Sequence, residues 1–418
     1  MTTRADFASA VEWPSAWRTV PLWTLFERIK DVGHPDEEML SVYRNYGVVK
    51  KDGRGDNFNK TAENRDIYQL VDEGWLVVNR MKAWQGSVGI SSYRGIVSGH
   101  YICFRPKHEE DPRFLNWLLR SDVYALEYMR LSRGVRPSQI EIDNDGLRVL
   151  PVRLPGIDEQ RRIADFLDTE LVHIDRLATC MQAQNDLLAA RRSAVLMRAS
   201  GENGTPSVRL GYFLKLTTSG PRGWGEYASE HGTFFFRSAN LRRDSIDPNL
   251  DSVSYVAPPE SAEVEAKRSR VEYGDVLIGL TGANAGWVTY ADSIVSGANV
   301  SQHVCLMRPV GGIRGRWLAY YLASPPVQDE LFSSQYGGTK TQLSLPNLRD
   351  LRVPVLPPSE QDRITSEIDA ELGKIEGEQT LRARQLELLT ERCQALITAA
   401  VTGEFDVSTA SGRGIDVS

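Results

Sequence analysis

Residues 147–168 read LRVLPVRLPGIDEQRRIADFLD and residues 348–369 read LRDLRVPVLPPSEQDRITSEID. Glu159-Gln160 recur as Glu360-Gln361 at a shift of 201, each pair just after a proline-rich approach. Asp158 and Ser359 suit helix N-caps, and the acidic residues that follow suit the positive end of a helix dipole. Downstream, Leu167, Ile174, Met181, Leu188 and Val195 recur every seventh residue, and Ile368, Ile375, Arg382, Leu389 and Leu396 stand 201 later. Each segment runs for about 40 residues, roughly 60 Å of helix, without an internal proline. Neither can bury its stripe alone, so the spacing predicts two long helices that cover each other's seam, with Arg382 as the one discordant position. Gly201 and Gly403 are the expected stops.

Working outward, the repeat extends over both flanking regions. VDEGWLVVNRMKAWQGSVG from Val71 matches VEYGDVLIGLTGANAGWVT from Val271, with Gly74 and Gly86 answering Gly274 and Gly286. IVSG recurs at Ile96 and Ile294, and YICFRP and HVCLMRP close the two units. Short β-branched and aromatic runs punctuated by Gly and Pro predict mixed α and β domains. A helix is expected after the last strands in each, at RFLNWLLRSDVYALEYMRL and RWLAYYLASPPVQDELFSS. The chain therefore reads as a domain at 1–157, a long helix at 158–201, a second domain at 202–357, a second long helix at 358–405 and a polar tail at 406–418. If the helices are antiparallel, an approximate twofold axis follows.

The 418 residues, 41% apolar and 25% charged, suit a folded chain with a sizeable core and exclude a disordered one. No stretch reaches the roughly 18 apolar residues of a membrane span, and the N-terminus lacks the apolar block of a secretory signal. A cytoplasmic location is expected. Cys103, Cys180, Cys305 and Cys393 are far apart and read as reduced and mostly packed thiols.

The net charge of -6 argues against a generic nucleic-acid coat protein, but it is unevenly spread. Residues 1–157 carry 22 basic and 21 acidic side chains and residues 199–359 carry 15 of each, while 158–198 and 360–402 hold 11 basic against 16 acidic. Acidic helices would not lie on phosphates, so any nucleic acid falls to the globular regions. VVKKDGRGDNFNK from Val48 offers Lys50, Lys51, Arg54 and Lys60 in a Gly-rich loop, either a phosphate cradle or a solvated charge run. NRMKAWQG offers Arg80 and Lys82 beside Trp84, with the alternative of a core Trp beneath two exposed bases. In the second region TFFFRSANLRRDS offers Arg237, Arg242 and Arg243, Phe234 to Phe236 reading as a buried strand. Arg136 and Lys340 complete the candidates for nucleic-acid contact, and Leu167, Ile174, Leu188, Ile368, Ile375 and Leu389 those for helix pairing.

Catalytic motifs are missing. GGTKTQ at Gly337 lacks the spacing of a P-loop, and the pairs in APPE, SPPV and LPPS lack the amide and aromatic of an adenine-methyltransferase tetrad. Asp251, Glu265 and Lys267 fit a nuclease spacing only formally, EVEAKRSR reading as a charged turn. The six histidines form no HExxH pair, and His303 in SQHVCLM reads as a packed core residue.

These residues carry a resemblance. PGIDEQRRIADFLD and PPSEQDRITSEID, GVRPSQIEID before the first of them, VVNRMKAWQGSVG with IVSG, and ERCQALITAAVTGEF at the end together resemble the DNA-specificity subunit of a type I restriction-modification system, over about Trp17 to Val407. The resemblance implies an α+β chain: two mixed α/β target-recognition domains, separated by two long antiparallel helices, in a pseudo-twofold internal repeat. It implies a non-catalytic subunit in which each domain reads one half of a bipartite, asymmetric site in double-stranded DNA. The helices would dock two methyltransferase subunits, with restriction and translocase subunits joining them. No cofactor is expected on this chain; S-adenosylmethionine, ATP and Mg would serve the partners. The competing readings are a self-sufficient methyltransferase or nuclease, and a scaffold that binds protein rather than DNA.

Overall fold

The computed structural model describes residues 11–44, 46–51, 65–134, 140–201, 204–333 and 342–407. The chain divides into two compact units, residues 1–181 with 384–418, and residues 182–383. The long helices, Ile157–Leu196 and Pro358–Thr402, each contribute one part to each unit.

In the first unit the strands Phe26–Ile29, Tyr101–Pro106, Leu76–Asn79 and Val88–Ile90 form, in that spatial order, an antiparallel sheet. In the second unit Leu214–Ser219, Val304–Pro309, Val276–Gly279 and Val288–Tyr290 form the same sheet in the same order. Cys103 and Cys305 sit on corresponding strands, fully buried, and burial pushes both thiols up, Cys103 to about 12. Outside this shared frame the units differ. The first adds the hairpin of Leu40–Tyr43 with Gly47–Lys50, whereas the second adds Thr233–Phe236, paired in parallel with Asn299–Val300. Phe235 and Phe236 are buried, as a strand reading requires, and Phe234 is half-buried.

After each sheet the sequence suggested one helix, and the structure has two. Pro112–Arg120 and Asp122–Leu131 break at Ser121, while Gly315–Ala323 and Pro325–Ser333 break at Ser324. Each serine is extended and buried, and its hydroxyl donates to a carbonyl of the preceding turn, Leu118 O at 2.7 Å or Tyr321 O at 2.6 Å. The same carbonyl also accepts the serine's own N–H at 3.1 Å, so each break is closed by two bonds from one serine, and Pro325 enforces the second one.

A two-stranded ribbon leads into each long helix, Arg18–Pro21 with Pro151–Leu154 and Ser207–Arg209 with Arg352–Pro354. The helices begin at Ile157 and Pro358, so Asp158 and Ser359 lie in the first turn instead of capping it. Both stops are glycines in the left-handed region, Gly201 at φ 74° and Gly403 at φ 74°. A Cβ on Gly403 would also sit 2.5 Å from Pro14 Cγ.

Within the second unit the helices are antiparallel: Gln184 pairs with Arg382, Arg191 with Glu371 at 2.7 Å and Arg192 with Glu376 at 3.5 Å. Leu188, Ile368 and Ile375 are buried in its core. Arg382, the discordant seam residue, is half-buried and turns its guanidinium to Gln184 and to Glu378 at 3.7 Å, as a long basic side chain can. Within the first unit Leu167 packs in a core with Ile397 and Val401, whereas Ile174 and Leu389 are only half-buried. Among the described residues no helix is long and apolar enough to cross a membrane.

Candidate nucleic-acid interface

Each globular region is fastened to a long helix by the same pair of contacts. Gln160 and Gln361, the second residues of the repeated Glu-Gln pairs, are fully buried. Gln160 accepts from Asp111 N at 3.1 Å and donates to Pro155 O at 3.0 Å. Gln361 accepts from Arg314 N at 2.8 Å and donates to Leu356 O at 2.8 Å and Gly312 O at 3.1 Å. One turn or two further on, Asp168 receives Arg113 at 3.2 Å and Trp117 Nε1 at 2.9 Å, and Asp369 receives Arg316 together with the Tyr320 hydroxyl. These anchors fix the sheets, and the sheets fix the loops that carry the candidate cations.

In the first unit the turn after Leu76–Asn79 is held by Asn79, whose Oδ1 accepts from Met81 N at 3.1 Å and Lys82 N at 3.2 Å. Trp84 Nε1 closes the turn onto Met81 O at 3.0 Å, and the ring is half-buried. Arg80 is pinned through its backbone, N to His100 O at 2.9 Å and O from Ile142 N at 3.0 Å. Its Nε is buried with no hydrogen-bond partner, and Lys82 is exposed. Among the described residues neither forms an ion pair. Lys50, by contrast, is held by Glu38 at 2.7 Å and lies over the Tyr93 ring at 5.6 Å. Lys51 donates its backbone N–H to Met39 O at 2.8 Å. Arg54, Lys60, Arg136 and Lys340 lie outside the described residues.

In the second unit the turn that answers Arg80–Gly86 is neutral, and the cations come from the loop after Thr233–Phe236. Asn240 staples that loop: it is fully buried, accepts from Arg237 N at 2.9 Å, and donates to Asn249 O at 2.9 Å and Ser252 O at 3.1 Å. Asn284 Nδ2, from the neutral turn, adds a bond to Ser238 O at 2.7 Å. Arg242 and Arg243 are exposed along a cleft of about 870 Å³, with Arg242 3.7 Å from Asp244. Arg237 lies apart from them, on a smaller pocket beside Ser301, Gln302 and His303.

His303 is not the core residue its strand-like context suggested. It precedes the strand Val304–Pro309, is exposed, and bonds Thr281 Oγ1 through Nδ1 at 2.8 Å and Gln302 through Nε2 at 3.0 Å. Asn240 and Gln302 were missed altogether, because a stapling amide and a loop amide have no spacing of their own. Of the formal nuclease residues, Glu265 accepts from Trp224 Nε1 at 3.0 Å and Lys267 pairs with Glu263 at 2.7 Å. Among the described residues no three His, Cys, Asp or Glu side chains gather into a metal-binding group.

Residues 14–176 match the model of the type I restriction modification DNA specificity domain. The type I restriction enzyme StySPI specificity subunit of Salmonella potsdam is 22% identical over 215 residues, 48% of this chain and 46% of that protein, so the chain spans about half the length of this curated relative. Among solved structures, a chain from work on complex assembly and conformational transition of the type I R-M system aligns with 94% of this chain and 100% of its own length, at a TM-score of 0.73 and 17% identity. The HsdS subunit from Thermoanaerobacter tengcongensis aligns with 95% of this chain and 99% of its own, at a TM-score of 0.53 and 18% identity. At these identities the structural likeness is one of fold. It agrees with the mixed helix and strand architecture and two long helices expected of the specificity-subunit family.

Proposed function

We propose that this chain is the DNA-specificity subunit of a type I restriction-modification complex. The observation that carries the reading is a duplicated frame with unlike loops. Both units share one sheet order and one set of helix anchors, yet the cations come from the Arg80–Lys82 turn in one and from the Arg237–Arg243 loop in the other. Identical frames with different loops suit two recognition domains, residues 1–157 and 202–357, each reading one half of a bipartite, asymmetric site in double-stranded DNA.

The long helices, residues 158–201 and 358–405, suit docking of two methyltransferase subunits. They are net acidic and leave apolar side chains exposed, Val172 and Leu177 in the first unit and Leu187 and Leu381 in the second. Apolar surface on a charged helix is the kind a protein partner covers. Methylation would then belong to those partners with S-adenosylmethionine, and translocation and cleavage to restriction subunits with ATP and Mg. This chain supplies sequence reading and assembly, in the cytoplasm where the DNA is.

The test is co-expression with the methyltransferase subunit, followed by sequencing of methylated adenines. A split motif that disappears when this chain is left out is the expected result. Methylation independent of the chain, or none in a complex that assembles and keeps its methyltransferase folded, counts against the reading.

A further inference from the structure

We propose that the pocket formed by Trp224, Phe235, Arg237, Ser301, Gln302 and His303 reads the edge of one purine base in the half-site recognised by the second unit. This deepens the specificity-subunit reading and rests on it. The pocket holds about 270 Å³. Its floor is apolar and rigid: Trp224 and Phe235 are buried with ring centroids 6.3 Å apart, and Glu265 fixes the Trp224 ring through Nε1 at 3.0 Å.

The rim carries polar atoms that the protein leaves unmatched. Ser301 is only 5% exposed, yet its Oγ has no hydrogen-bond partner, and the buried Nε of Arg237 has none either. A buried polar group without a partner costs free energy unless something binds there. Arg237 is held for that purpose by the Asn240 staple at 2.9 Å on its backbone.

Gln302 supplies the other half of the recognition. Its Nε2 can only donate, so His303 Nε2 accepts at 3.0 Å and His303 Nδ1–H donates to Thr281 Oγ1 at 2.8 Å. The Thr281, His303 and Gln302 chain fixes the carboxamide while leaving Oε1 and one N–H for a ligand. An amide presenting a donor and an acceptor matches adenine N7 and N6, and an arginine fork matches guanine N7 and O6. A phosphate matches neither the amide acceptor nor the aromatic floor. The exposed pair Arg242 and Arg243 on the same loop is better suited to the backbone.

Among the described residues the first unit does not repeat this arrangement, although the frame is the same. Leu280 N bonds His303 O at 2.8 Å as Arg80 N bonds His100 O at 2.9 Å, so the two histidines occupy equivalent positions. Next to His100, Gly99 stands where Gln302 does and Met81 where Thr281 does, so the amide and its hydrogen-bonded chain are features of the second unit.

The experiment is sequencing of methylated sites for the complete complex with its methyltransferase subunits, carrying wild-type chain, Arg237→Ala, Gln302→Ala or the near-isosteric Gln302→Glu. The expected result is loss of discrimination by about 5- to 100-fold at one purine position of one half-site, with the other half-site unchanged. Gln302→Glu, which removes the donor, should shift preference at that position away from adenine and toward cytosine. A wild-type split motif retained unaltered by all three variants overturns the proposal while leaving the specificity reading intact. Uniform weakening at every sequence, with a shallower salt dependence, also overturns it and marks a phosphate contact. Absence of a split motif in the wild-type complex overturns the reading beneath it. Thermal melting of each complex separates a folding defect from altered reading, and Gln302→Glu decides the matter if an alanine variant does not fold.

Discussion

The guanidinium of Arg316 grips the Asp369 carboxylate at both oxygens, with Nε at 3.1 and 3.0 Å and Nη2 at 2.8 Å from Oδ1. The Tyr320 hydroxyl donates to the same Oδ1. One carboxylate on the long helix thus collects two side chains from one face of Gly315–Ala323, spaced by one helical turn. Asp369→Ala should destabilise the second unit by about 1–2 kcal/mol, because charged hydrogen bonds are lost while Arg316 stays partly in water and the buried Tyr320 hydroxyl loses its acceptor. Chemical denaturation with a probe in that unit measures this, and an unchanged midpoint would show that the anchor contributes nothing. Asp168→Ala should act in the same way on the first unit, more weakly, since Arg113 is more exposed than Arg316.

Gln361 should be less tolerant than Asp369. It is fully buried and satisfies one backbone N–H and two carbonyls, which Gln361→Ala would leave unpaired. The expected cost is about 2–4 kcal/mol, the range for orphaned buried polar groups. Gln361→Glu should be at least as damaging, since a carboxylate would face the Gly312 and Leu356 carbonyls. Equilibrium unfolding of the two variants checks both statements, and Gln361→Glu melting like the wild type would count against the donor role.

The frame was legible and the reading surface was not, for a physical reason. Helix seams, Glu-Gln pairs and glycine stops leave periodic or repeated signals, because the same backbone geometry recurs in each unit. The repeated Glu-Gln pair marked an equivalence before its role was visible; the geometry gives that role to Gln160 and Gln361. Ser121 and Ser324 were read through as helix because a single serine break leaves the apolar spacing of the two short helices intact. His303 was misplaced because strand-like neighbours say nothing about the residue just before a strand. Ionic pairing is equally silent in sequence: Lys50 and Lys82 both belong to basic clusters, yet only Lys50 has Glu38 beside it.

His108 should make the first unit sensitive to mild acid. Burial holds its imidazole below the ordinary 6.5, partly opposed by Glu110, and the ring packs edge-on against Phe26 at 4.8 Å. Its Nδ1 accepts from Glu110 N at 3.1 Å, a bond that protonation of Nδ1 would break. The folded state therefore binds fewer protons than the unfolded state near this pH. Its contribution is present above 6.5 and is lost progressively as pH falls from 6.5 to the depressed folded value. Denaturation midpoints measured from pH 7.5 to 5 should decline, and His108→Leu should flatten that part of the decline even if its overall stability is lower. An NMR titration placing His108 at or above 6.5 would contradict the assignment.

The two basic clusters of the first unit should separate in their response to salt. Arg80 and Lys82 form no ion pair among the described residues and sit on a turn fixed by Asn79. They are available to phosphate without first giving up a carboxylate. Each phosphate contact contributes nearly one unit to the slope of log affinity against log salt, so Arg80→Ala with Lys82→Ala should lower that slope by about two. The preferred half-site should stay the same, because phosphate contacts position the domain without reading bases. Lys50→Ala should change the slope by well under one, since its ammonium already faces Glu38 at 2.7 Å. Titration of a labelled duplex against the assembled complex at several salt concentrations distinguishes the outcomes. A larger slope change from Lys50→Ala than from the Arg80 and Lys82 pair would move the backbone contact to the hairpin and away from the turn.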